Sequence, residues 1–192
     1  MNFGVCILVG GKSSRMNFQA KADLKLNDRT FLEILAQEMY SIPFKYLSVN
    51  PSQQYVIEGY TNIIDEYPSI GPMNGIVSVL HQTKVDALFV CSCDMPFVNM
   101  DVVNILYEKL EDYDGIFLED ENHTYLTAGI YTRKLLPILE KQIEKKDYRL
   151  YRSVKMGNIK LLNTKDTNLE PELLMNINTL EDYQTLKRKR ES

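Results

Sequence analysis

Val5-Cys6-Ile7-Leu8-Val9-Gly10-Gly11-Lys12-Ser13-Ser14-Arg15-Met16, followed by Lys21, decides how the rest of this chain reads. Val5 to Val9 is a short unbroken apolar run, the pattern of a strand buried on both faces. It stops at two glycines, then a lysine, two serines and an arginine. Without a Cβ, Gly10 and Gly11 let backbone N–H groups close on an oxyanion, and the hydroxyls of Ser13 and Ser14 can join them. Arg15 offers a planar fork to phosphate oxygens, and Lys21 a mobile point charge. The spacing is neither G-x-x-x-x-G-K-[ST] nor G-x-G-x-x-G, so both common nucleotide fingerprints are absent. Gly-Gly alone reads as a tight strand-to-helix turn. With the residues that follow it, a phosphate and nucleotide loop is the favoured reading.

Outward from this turn, apolar runs alternate with amphipathic stretches, the pattern of parallel strands linked by helices in an α/β fold. Thr30 to Ile42 is expected to be helical, with Phe31, Leu32, Leu35 and Met39 at helical spacing and Pro43 behind them. Strands are expected at Tyr46 to Val49, Ile63-Ile64 and Ala87 to Cys91, and helices at Asn74 to Gln82 and Met100 to Leu110. Val56 to Gly59 reads as a short helical piece or a loop. Gly115 to Leu118 and Tyr125 to Tyr131 read as a hairpin. Beyond them the pattern predicts a helix over Leu135 to Glu144, an exposed polar stretch over Lys145 to Arg152, a strand over Ile159 to Leu162 and a closing helix over Leu180 to Arg190. Ligands of such sheets sit outside the carboxyl ends of the strands. Four expected strand ends carry chemistry-bearing residues: Gly10-Gly11, Asn50, Asp65 and Asp94.

Composition narrows the classes. With 44% hydrophobic and 25% charged residues the chain has the balance of an ordinary globular protein. Twenty-two basic against 26 acidic residues give a net charge of −4. General nucleic-acid binding runs on basic surface, so it is disfavoured, and an anionic ligand needs a local basic site. No apolar run approaches the ~20 residues of a membrane span. The three cysteines make no even framework and no secretory leader is visible, which points to a reducing, cytoplasmic setting. Cys91-x-Cys93 invites a zinc reading. Zinc wants about four ligands, and Cys6, His81 and His123 complete no recognisable spacing, so buried apolar roles are favoured.

Asp94, in Cys93-Asp94-Met95-Pro96, follows an apolar run and is fixed by the proline. Mg²⁺ takes one or two carboxylates plus phosphates and water, which suits it; a turn cap is the competing role. Beside a phosphate loop, the metal reading is favoured. Asp65 is a second carboxylate near the metal, a nucleotide partner or an exposed turn acid. Gly71-Pro72-Met73-Asn74-Gly75 starts a helix, with Pro72 near its first position. Gly71 and Gly75 would let backbone approach a base or phosphate, or simply serve a loop-to-helix start.

Taken together, these blocks resemble the molybdenum cofactor guanylyltransferase (MobA) family, whose opening signature is L-A-G-G-x-S-x-R-M-G…D-K. Leu8 to Met16 matches the signature and Lys21 falls at its lysine. Asn50 matches a strand-end asparagine, Asp65 with Gly71 to Ile76 a D…G-P-L-x-G-I block, and Cys93 to Phe97 a C-D-x-P-F/Y block. Gly129-Ile130-Tyr131 resembles the later hairpin, and Asn176 to Asp182 the closing N-x-N-T-x-E-D. Val9, Asn17 and Ala20 depart from the signature's alanine, glycine and acidic residue; Asp23 is a nearby carboxylate.

The resemblance implies a Rossmann-like three-layer α/β/α nucleotidyltransferase fold with a mostly parallel sheet. It implies one domain over residues 1–192, with a nucleotide half at about 1–100 and a pterin half at about 101–192. It implies transfer of GMP from GTP to molybdenum-bound molybdopterin with Mg²⁺ as cofactor. Arg15, Lys21 and Asp94 would be catalytic, with Asp94 the metal ligand. Leu8, Val9, Gly10, Gly11, Ser13, Lys21, Asn50, Asp65, Gly71, Gly75 and Asp94 would bind the nucleotide, and Asn176 and Asn178 would face the pterin. GTP and the molybdopterin cofactor would be the ligands, and other cofactor-biosynthesis proteins or recipient apoenzymes the protein partners. Two alternatives stand beside it: another nucleotidyltransferase of the same fold, acting with CTP on molybdopterin or on a sugar phosphate, and a non-catalytic nucleotide-binding protein.

Overall fold

A computed structural model describes residues 1–9, 21–67 and 70–191, the last three by backbone alone. Strands β1 (Phe3–Leu8), β4 (Phe44–Val49), β5 (Thr61–Ile64), β6 (Ala87–Ser92), β7 (Gly115–Glu119), β8 (Thr124–Thr132) and β9 (Ile159–Asn163) form a seven-stranded sheet in the order β5-β4-β1-β6-β8-β7-β9. Only β8 runs against the rest: β1 pairs in parallel with β4 and β6, β4 with β5 and β7 with β9, while β8 is antiparallel to β6 and β7. The expected hairpin is therefore present, and its second strand inserts between β6 and β7.

The central strands read as continuous apolar runs because both faces are covered. In β1 and just past it, Val5, Ile7 and Val9 point to one core and Cys6 and Leu8 to the other, the two-residue alternation of a pleated strand. On the first face lie helices α1 (Phe31–Glu38) and α3 (Met100–Glu108), which bury Leu32, Leu35, Val102 and Leu106. On the second lie α2 (Pro72–Gln82), α4 (Leu136–Glu144) and α5 (Leu150–Val154), with Ile76, Leu80, Leu139 and Val154 inside. This is the expected three-layer α/β/α arrangement. Among the described residues no helix is long and apolar enough to cross a membrane.

Several local expectations are corrected. Helix α1 stops at Glu38, before Ile42, and its start is fixed by a capping box: Thr30 Oγ1 accepts from Glu33 N and Glu33 returns an acceptor to Thr30 N. Of the two readings of Val56 to Gly59, the loop is the one the structure shows. Lys145 to Arg152 is not uniformly exposed, because Leu150 is buried and opens α5. A short hairpin, β2 (Lys25–Leu26) and β3 (Arg29–Thr30), turns at Asn27 and Asp28, both with positive φ. It packs with the C-terminal segment: Leu24, Leu26 and Phe31 form a small core with Ile177 and with Leu186 of α6 (Leu180–Glu191). That core joins the segment after Lys21 to the C-terminal stretch.

Helix α2 lies unusually close to the sheet. A Cβ on Gly75 would stand 2.6 Å from Leu8 Cδ2 and collide with the Ser48 side chain, so only glycine lets the helix seat there. At its far end Arg133 donates to the carbonyls of Leu80 (2.6 Å), Thr83 (2.7 Å) and Val85 (3.0 Å). Gly75→Ala tests the seat. On an exposed helix, alanine would gain about 1 kcal/mol over glycine. Here we expect a net loss of about 1–2 kcal/mol, a fall of roughly 2–8 °C in Tm, read by thermal unfolding. An unchanged or higher Tm would mean that the helix moves away without cost.

Candidate active site

The order β5-β4-β1-β6 places the ends of four parallel strands side by side. Val9, Asn50, Asp65 and Asp94 therefore share the carboxyl edge of the sheet, where open α/β folds bind ligands. Gly10, Gly11, Ser13 and Arg15 lie outside the described residues. The backbone of Leu8 and Val9 is largely committed to the sheet: Cys93 N donates to Leu8 O (3.2 Å), and Val9 N donates to Ser48 O (3.1 Å). Asn50 turns its amide to Gln53 Oε1 (3.0 Å).

Lys21, Asp94 and Asn178 do come together. Lys21 Nζ donates to Asp94 Oδ2 at 2.9 Å and to Asn178 Oδ1 at 2.8 Å. The Lys21 and Asp94 side chains are each 19% exposed, so the pair is partly shielded from water. Asp94 Oδ1 is buried and has no hydrogen-bond partner among the described residues. A buried carboxylate oxygen left bare is costly, and it marks a place where a cation or donor belongs. Ile177 N donates to Asp94 O (2.7 Å), which staples the segment of Asn176 and Asn178 to the end of β6.

Asn176 and Asn178 line an open cavity of about 530 Å³ that Pro72, Met95, Leu126 and Thr127 also line. The hairpin supplies its wall through an irregularity. Phe117 pairs with Gly129, but Leu118 pairs with Tyr125, so three residues of β8 bulge out of register. The Tyr131 hydroxyl donates to Leu126 O (2.8 Å) and holds the bulge. A larger concavity, about 740 Å³, lies along Lys145, Lys146, Arg149 and Arg152; among the described residues none of the expected site residues lines it.

Asp65 is held by residues whose part was not evident from the motifs. Ser48 Oγ donates to Asp65 Oδ1 (2.7 Å), and Asp65 N donates to Val49 O (3.0 Å). The next turn is fixed from α2: Tyr67 N donates to Asn74 Oδ1 (3.0 Å), the Asn74 amide donates to Tyr67 O, and Glu66 N donates to Ser78 Oγ (2.9 Å). The available signal was polar residues at apolar positions, Ser48 in a buried strand and Asn74 and Ser78 one turn apart on a buried helix face. Gly71 caps that helix at φ +74°, ψ −157°, a conformation open to glycine. The cysteines are free and buried, and burial pushes the Cys93 thiol up to about 12. Among the described residues no group of three or more His, Cys, Asp or Glu is gathered as a metal site.

A doubly covered parallel sheet whose carboxyl edge gathers a lysine, an aspartate and a glycine-led helix is the frame of a nucleotide-handling α/β enzyme. Residues 5–159 match the model of the MobA-like NTP transferase domain, and the chain belongs to that family of nucleotidyltransferases. It is 33% identical over 190 residues to a probable molybdenum cofactor guanylyltransferase of Clostridium perfringens, covering 96% of both chains. It is 31% identical over 188 residues to one of Carboxydothermus hydrogenoformans, covering 96% of this chain and 95% of the relative. The fold superposes on molybdopterin-guanine dinucleotide biosynthesis protein A of Archaeoglobus fulgidus with a TM-score of 0.81 at 20% identity, covering 98% of each. It also superposes on 2-C-methyl-D-erythritol 4-phosphate cytidylyltransferase of Thermus thermophilus with a TM-score of 0.72 at 12% identity, covering 97% and 98%.

Burial raises the pKa of Asp65 above its ordinary value, and the Ser48 hydrogen bond opposes that shift. A carboxyl whose pKa rises on folding stabilises fully below its unfolded value and loses that contribution as pH climbs through the folded one. Asp65→Asn is therefore expected to melt no lower than the wild type at pH 7, with the difference between the two moving in favour of the wild type towards pH 4. Parallel melts over pH 4–8 check this. A wild type that gains stability over Asp65→Asn as pH rises would contradict it.

Proposed function

We propose that the chain transfers GMP from GTP to molybdenum-bound molybdopterin, forming the guanine dinucleotide cofactor and pyrophosphate. The observation that carries this reading is the Lys21–Asp94–Asn178 cluster, which joins the strand-end edge to the cavity beside it. The names of the relatives support the choice of substrates.

In this reading a phosphate oxygen of the pterin attacks the α-phosphorus of GTP. The new P–O bond forms as the α–β bond breaks, and pyrophosphate leaves. Such transfers depend on positioning and on meeting developing charge. Backbone N–H groups of Gly10, Gly11 and Ser13 would cradle the triphosphate. Arg15 and Lys21 would offset charge gathering on the pyrophosphate. Leu8, Val9, Asn50 and Asp65 would contact the guanosine, with Gly71 and Gly75 giving α2 its approach to the same edge. Asn176 and Asn178 would hold the pterin.

Asp94 is the residue that would hold Mg²⁺. Its buried Oδ1, without a hydrogen-bond partner among the described residues, is a hard oxygen of the kind this ion takes, and one carboxylate completed by phosphate oxygens and water is an ordinary magnesium donor set. Bound Mg²⁺ would neutralise phosphate charge.

The purified protein, given Mg²⁺, GTP and molybdenum-bound molybdopterin, should release pyrophosphate and form the guanine dinucleotide, and CTP should substitute poorly. Preference for CTP would reassign the chain to cytidylyl transfer, and GTP binding without pyrophosphate release would make it a binding protein. Asp94→Ala should lower turnover at least about 100-fold, while its melting temperature stays close to the wild type. Lys21→Ala should impair use of GTP; unchanged kinetics would take Lys21 away from the phosphates.

A further inference from the structure

We infer that Asn178 is a positioning residue for the nucleotide half of the reaction, acting through Lys21, and that this one side chain couples the two substrate sites. The inference rests on the nucleotide reading above. Family resemblance puts Asn178 with the pterin, and it does line the cavity. Yet its Oδ1 accepts from Lys21 Nζ at 2.8 Å, and the same ammonium donates to Asp94 Oδ2 at 2.9 Å.

The two acceptors differ in kind. Asp94 holds the ammonium and cancels its charge. Asn178 holds it with a neutral dipole and leaves the charge available to a phosphate. Any cation taken up at Asp94 competes with Lys21 for that carboxylate, and Asn178 then remains as the anchor that keeps the ammonium at the edge. The backbone that carries the anchor is held on two sides. Ile177 is buried with Leu24, Leu26 and Phe31, and Ile177 N donates to Asp94 O. Asn178 N and Thr179 N both donate to Asp182 Oδ2, at 2.9 and 2.8 Å.

With Oδ1 committed to Lys21, the amide nitrogen of Asn178 is the group it offers to the cavity. An acceptor that engages this amide fixes the side chain that fixes Lys21. By linkage, nucleotide held by Lys21 must favour acceptor binding to the same degree.

A double-mutant cycle on Mg²⁺·GTP binding, measured by calorimetry with no pterin present, separates this from a purely acceptor-side role. Asn178→Ala should weaken GTP binding about three- to tenfold in the wild-type background and change nothing further in Lys21→Ala. It should also keep the wild-type melting temperature, since the side chain is exposed. Unchanged GTP affinity in Asn178→Ala, or the same fold-loss with and without Lys21, would overturn the coupling while leaving the nucleotide reading intact. A wild-type protein that takes up no GTP would overturn that reading itself, and the coupling with it.

Discussion

One ammonium group ties this structure together. Lys21 comes from the segment that follows the glycine-rich turn, Asp94 from the end of the central strand β6, and Asn178 from the stretch before the last helix. The lysine is 73 residues from one acceptor and 157 from the other. Ordering a long flexible side chain costs conformational entropy, so a single exposed pair would contribute little. Here the cost is offset by two acceptors, by partial burial and by the small apolar core of Leu24, Leu26, Phe31 and Ile177 underneath. That core holds the segment after Lys21 against the C-terminal stretch, and the ammonium uses it.

The layered sheet was legible in the sequence because its physics is local. The central strands β1 and β6, covered on both faces, are apolar nearly throughout, and each run is followed by residues that do not continue it, Gly10 after β1 and Asp94 beyond β6; the shorter runs before Asn50 and Asp65 end in the same manner. The strand order was not legible, because nothing local says that β8 enters between β6 and β7 in reverse. The polar stretch from Lys145 is largely exposed, as its charge implies, and the one leucine in it, Leu150, turns inward and opens α5. The Asn27-Asp28 turn carried a hairpin signal, but two-residue strands are too short to alternate.

The site divides in the same way. Motif residues on the described strand ends do share one edge, and the side chains that hold Asp65 and the turn after it were given no part by the motifs. Ser48, Asn74 and Ser78 are placed at apolar positions to hold Asp65 and the turn after it. A hydroxyl or amide inside a core is tolerated only with its hydrogen bonds made, so each is a commitment to one loop geometry. The contact between Lys21 and Asn178 had no sequence signal at all, since each residue had a sufficient role of its own on a different substrate.

The reversed strand has a consequence for how such a protein can change. Parallel strands deliver only their carboxyl ends to the binding edge, and every alteration there disturbs the helix that follows. Strand β8 instead begins at that edge, and two of its out-of-register residues, Leu126 and Thr127, sit in the cavity wall. Residues can be added, removed or exchanged at this bulge while the pairs from Gly115–Tyr131 to Phe117–Gly129 keep their register. The half of the sheet built of parallel strands is thereby conservative by construction. The half that contains β8 is free to evolve, so one scaffold can keep its nucleotide chemistry while trading one acceptor for another.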